Sequence, residues 1–120
     1  MTIEARAQEL FEAVVARYDG EPGVSYGRMM ASNGLRIEGK IFAMLVRGRL
    51  VLKLPAERVT ALVVDGFGEP FEPRPGRRLK QWVSLDVPQP PLQSRWHELT
   101  AEARVFVGGE PDVPAKRRGT

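Results

Sequence analysis

The sequence predicts an α+β fold of two layers, with three helices collected on one side of a five-stranded antiparallel sheet. Three observations carry that expectation. Apolar residues recur at helical spacing in the first and last segments. Between residues 28 and 54, short runs that alternate or are wholly apolar are joined by glycine-containing turns. A second pair of extended runs follows a short middle helix, so the element order reads α-β(3)-α-β(2)-α.

The first helix spans about Ile3 to Asp19. Thr2 is a suitable N-cap, and Glu4 faces the positive end of the helix dipole. Leu10, Phe11, Val14, Val15 and Tyr18 make one apolar stripe, and Gly20 with Pro22 stops the helix. Leu35-Arg36-Ile37-Glu38 alternates as a half-buried strand does. Ile41 to Val46 is apolar on both faces, which suits a strand covered on both sides or central in the sheet. Arg49 to Leu54 alternates again, with Leu50, Leu52 and Leu54 on one side. Glu38-Gly39 and Arg47-Gly48 are the hairpin connections, and Asn33-Gly34 is a bulge or a further turn.

Pro55 opens a second helix over about Ala56 to Val64, because the first helical turn does not need its missing N–H; Asp65-Gly66 closes it. Phe71 anchors a short edge strand, since Pro70 and Pro73 cannot donate to a ladder. Leu79 to Val87 is the last strand, with Val83, Leu85 and Val87 on one face. The third helix runs from about Leu92 to Val107, where Leu92, Trp96, Leu99, Ala103 and Phe106 recur at steps of four and three. Residues 110 to 120 hold two prolines and a Lys116-Arg117-Arg118 run without an apolar anchor, and are expected to be a flexible tail.

Composition removes many chemistries. With no cysteine, disulfides, zinc–thiolate sites and thiol catalysis are excluded; with His97 the only histidine, so are two-histidine metal sites. No nucleophile elbow, metalloprotease or phosphate-loop pattern is present, and Gly66-Phe67-Gly68 follows a helix rather than a strand, so it is no dinucleotide fingerprint. The longest apolar run, Ile41 to Val46, is far too short to span a membrane. The N-terminal residues lack a basic and then an apolar region, so the expectation is a cytoplasmic protein without a membrane partner. The net charge of +3 is small for a dedicated nucleic-acid binder.

Several short motifs occur in a suggestive order. They are Arg28-Met29-Met30, Gly34-Leu35, Glu38-Gly39-Lys40-Ile41-Phe42-Ala43 and Leu50-Val51-Leu52-Lys53-Leu54-Pro55. Gly68-Glu69-Pro70-Phe71 and Leu79-Lys80-Gln81-Trp82-Val83 follow. Together they resemble the TfoX N-terminal domain family, also called TfoX/Sxy, over about residues 8 to 107. The resemblance implies a single family domain over 1–107 followed by a tail over 108–120, and a fold like that of secretion chaperones. It further implies a non-enzymatic, cofactor-free protein-interaction domain, an adaptor in transcription regulation. Where the family commonly carries Met-Phe-Gly-Gly, this chain has Met29-Met30-Ala31-Ser32, losing two glycines that allow positive φ. The family's competence regulators also carry a second domain, so the competence role does not transfer with the first.

Candidate contact residues follow from charge. Arg74, Arg77, Arg78 and Lys80 put four cations in eight residues without an acid, either as a solvated turn or as a contact for phosphates or an acidic partner. No aromatic interleaves them to stack bases, which disfavours single-strand binding. Arg47 and Arg49 join them if the meander edge lies nearby. Lys53 is the one charge inside a strong strand and points to its exposed side. His97 falls outside the third helix's stripe, facing solvent or the helix flank. Met29, Met30 and Met44 are read as core filling. Edge strands make a homodimer the expected self-association; nucleic acid is the alternative partner.

Overall fold

In a computed structural model, residues 3–29, 32–88 and 94–109 are described. The chain runs α1 (Ile3–Ala16), β1 (Val24–Met29), β2 (Ser32–Ile37), β3 (Lys40–Val46), β4 (Arg49–Lys53), α2 (Ala56–Val64), β5 (Gly68–Arg74), β6 (Arg77–Leu85) and α3 (Arg95–Gly108). The α+β class is as expected. Among the described residues, however, the sheet has six strands rather than five, all antiparallel, in the order β1-β2-β3-β4-β6-β5, and it is open.

The strand that pattern reading missed is β1. Only Val24 and Tyr26 alternate in it before Gly27 interrupts, too little for a period-2 signal. Its extended form is set by β2, against which Val24 pairs with Ile37 and Met29 with Ser32. Asn33-Gly34 therefore lies inside β2. The bulge sits one strand over: Leu35 pairs with Ala43 but Arg36 with Ile41, which leaves Phe42 without an opposite residue. Phe42 and Ala43 are consequently both buried, so the wholly apolar run belongs to a central, bulged strand.

The three helices cover one face of the sheet. Ala7, Phe11 and Val14 of α1, Val59 and Leu62 of α2, and Trp96, Leu99 and Ala103 of α3 form one core with Leu35, Leu50, Leu52, Val83 and Leu85. Pro55 precedes α2 as expected. Past its end, Phe67 N–H donates to Leu62 C=O (2.9 Å) and Gly66 N–H to Val63 C=O (3.1 Å), a Schellman closure that needs the positive φ of Gly66. Gly68 answers a different demand: a Cβ there would lie 2.7 Å from Val83 Cγ2 and 2.9 Å from Leu85 Cδ2, so only glycine lets β5 approach β6 this closely.

Three boundaries differ from expectation. α1 ends at Ala16, and turns through Asp19 carry the chain to Gly20; Tyr18, beyond the helix, still packs edge-on to Phe42 at 5.6 Å. β6 starts at Arg77, and Val87 lies beyond its end. In α3 the buried positions are Trp96, Leu99, Thr100, Ala103 and Arg104, and Val107 packs against the core while Phe106 is 38% exposed. Steps of four and three average 3.5 residues, whereas the helix turns every 3.6, so the stripe drifts past Phe106. Leu92, Met30, Ala31 and the tail beyond Gly109 lie outside the described residues. No helix among the described residues is long and apolar enough to cross a membrane.

Candidate interaction surface

Arg74 and Arg77 pair across the Pro75-Gly76 turn at the tip of the β5–β6 hairpin. Arg74, Arg77, Arg78 and Lys80 are all exposed. Arg78 Nε donates to Glu72 Oε2 at 3.2 Å, so an acid close in sequence does temper this one charge. Among the described residues, no ion pair engages Arg74, Arg77 or Lys80. The tip is thus a cationic surface that the fold itself leaves unneutralised.

Lys53 lies on β4, which is paired with β6, opposite Trp82. Its ammonium sits 5.7 Å from the Trp82 ring centroid, a cation–π contact. Trp82 is two residues along β6 from Lys80; the stretch Pro73–Lys80 itself holds no aromatic. Lys40, Lys53, Gln81 and Trp82 line a cleft of about 500 Å³ with Ile41 and Phe106. Lys40, Trp82 and Phe106 were not legible as surface groups. The available signal was phase: Trp82 alternates out of step with Val83 and Leu85.

Arg49 does not join the free cations. Its Nε donates to Ser84 Oγ at 2.7 Å and its Nη2 to Ser84 C=O at 3.2 Å, while Asp86 accepts from Nη1 and Glu69 lies 3.8 Å away. The same corner holds Arg95 stacked on Phe67 at 4.2 Å, and together they border a cleft of about 390 Å³ whose arginines are balanced by carboxylates. Ser84 and Val51, cross-strand neighbours, are buried and line a separate hollow of about 190 Å³ with Glu69, Pro70, Phe71 and Glu72 of β5.

His97 is half-buried, and its Nδ1 has no hydrogen-bond partner among the described residues. Burial first, and Arg17 second, hold its pKa below the ordinary value. Among the described residues, no group of three or more histidine or carboxylate side chains could hold a metal. Met44, half-buried, pairs with Val51 on the far face instead of filling the helix-side core. No protein-family model matches the chain, and no curated protein matches it.

Proposed function

We propose that this chain is a non-enzymatic, cytoplasmic binding domain of TfoX N-terminal type that engages an acidic protein partner through the cationic tip of the β5–β6 hairpin. The observation that carries it is the exposure of Arg74, Arg77 and Lys80 without an ion pair among the described residues. Unpaired charge of one sign on a projecting hairpin accelerates encounter with an opposite charge and selects against like charge. The family assignment draws its support from the order of the motifs between Arg28 and Val83. A likeness to secretion chaperones, a role as an adaptor in transcription regulation, and self-association as a homodimer belong to the same proposal.

The test is capture of partners from the native cell by the whole chain and by a variant with Arg74, Arg77, Arg78 and Lys80 all changed to glutamate. A partner retained by the first and lost by the second supports the assignment. Equal capture by both refutes it. A second reading, nucleic-acid binding, is favoured by Trp82 beside Lys53, where a base could stack near cations. It requires a mobility shift of DNA or RNA that weakens steeply with salt and vanishes in the same variant.

A further inference from the structure

Phe106 is the starting point. It lies on the last turns of α3, displaced from the core by the 3.6-residue period, and the residue is 38% exposed. Two clefts share it as a wall. One, about 640 Å³, is lined mainly by Leu54, Pro55, Ala101 and Val105. The other is the cleft of Lys40, Lys53 and Trp82. Joined at Phe106, they make a band that is apolar at one end and cationic at the other.

The charges along this band decide what it fits. Among the described residues, no carboxylate lines the Lys40–Lys53 end. At the apolar end, Arg58 spans both oxygens of Glu102, donating at 2.8 and 3.0 Å, so that acid is already neutralised. Among the described residues, Glu57 is the one remaining lining carboxylate, and it is exposed.

We propose that the two clefts form one groove for a short peptide segment of an acidic partner. Its apolar side chains lie on Phe106, Pro55 and Val105, and its carboxylates reach Lys40 and Lys53. A phosphate chain fits less well, because among the described residues the apolar end gives it no cation free of a carboxylate and places Glu57 in its path. A second copy of this chain fits less well too. A twofold contact needs the patch to complement itself, and Glu57 is too little acid to answer two lysines. The inference rests on the contact-domain assignment above and adds a site and a partner chemistry to it.

The experiment selects random-sequence peptides displayed against the immobilised full chain, then measures the best peptides against three variants. These are Phe106→Ala, Lys40→Glu with Lys53→Glu, and the four-glutamate hairpin variant, each checked for native circular dichroism. The groove predicts selected peptides that combine Asp or Glu with aromatic or aliphatic residues. It predicts roughly tenfold or greater loss of affinity in the first two variants, as for a central anchor or a charge partner. The hairpin variant should lose less.

A selection that enriches no peptides, or peptides without acids, overturns the proposal. So does affinity that ignores Phe106→Ala or the lysine reversal, tighter binding of a single-stranded oligonucleotide to the same groove, or a dimer that Phe106→Ala dissociates. If native partner capture responds to the hairpin variant while no peptide responds to the groove variants, the groove alone fails. If neither responds, the contact-domain assignment fails with it.

Discussion

The β3–β4 and β5–β6 hairpins are both antiparallel, yet the turn of one closes a regular central ladder and the turn of the other ends an irregular one beside the sheet's edge. β3–β4 turns through Arg47-Gly48 with φ of 50° and 77°, both positive, which is the twist-matched type I′ geometry. Its ladder is regular, from Val46 opposite Arg49 to Ala43 opposite Leu52, and it occupies the middle of the sheet. β5–β6 turns through Pro75-Gly76, where only Gly76 has positive φ, at 82°. Proline first and such a glycine second is a type II signature, which splays the strands. Its register accordingly shifts twice, between Pro70 and Phe71 and between Phe71 and Arg74. The difference teaches that turn chemistry and position act together. A twist-matched turn at the centre keeps its ladder in register and buries Leu50 and Leu52, whereas a splayed turn beside an edge leaves Arg74 and Arg77 exposed and, among the described residues, without an ion pair.

The contrast has a limit, because the root of β5–β6 belongs to the core. Val83 is fully buried, Leu85 is 2% exposed, and Trp96 packs in the same core while its Nε1 donates to Asp86 C=O at 2.9 Å. The largest expected effect lies there. Trp96→Ala should destabilise by about 3–5 kcal/mol, read as a fall in thermal midpoint. A melt that barely moves would mean the root is as dispensable as the tip.

Next comes the paired truncation. Leu52→Ala in the central hairpin should cost about 2–5 kcal/mol by denaturant melt, since Leu52 is fully buried. Leu79→Ala, half-buried towards the hairpin tip, should cost about 1 kcal/mol or less. Equal losses would erase the distinction between the two hairpins.

The turns give a smaller contrast. Gly48→Ala should cost about 1–2 kcal/mol, because the added Cβ meets both a left-handed backbone and Glu4 Cγ at 3.2 Å. Gly76→Ala meets open space and should cost about 1 kcal/mol, from the backbone alone. Chemical unfolding of the two variants side by side decides whether the central turn is the more constrained.

The smallest effect concerns the helix behind the central hairpin. His97 has a folded-state pKa below its ordinary value near 6.5, so the unfolded chain takes up a proton that the fold resists. Stability from this group is therefore full above about pH 6.5 and declines as pH falls through the lower folded value. His97→Gln should flatten that part of the stability profile. A profile unchanged by the substitution would show that His97 is not shielded as its place on α3 implies.

Much of this fold was legible because it depends on neighbours. Leu50, Leu52 and Leu54 alternate, Pro55 starts a helix, and Asp65-Gly66 ends it; each is set within a few residues. The candidate site was half legible for the same reason. Arg74, Arg77, Arg78 and Lys80 cluster in the chain and so cluster in space. Glu72 was the neutralising partner that a run of cations conceals. Trp82, Lys53, Lys40 and Phe106 come from three strands and a helix, and no local spacing brings them together.

The sequence by itself determined the α+β class, the three helices, the central strands and the basic hairpin. These follow from periodicity, glycine and proline geometry, and charge, all short-range causes. Only the tertiary structure decided the sixth strand, the bulge at Phe42, the exposure of Phe106 and the pairing of Arg104 with Glu21. That last pair joins groups 83 positions apart, with Arg104 only 8% exposed in its side chain. Each is a cross-chain outcome, fixed when a strand finds its partner or a helix is turned against the sheet, and no window of neighbouring residues contains both members.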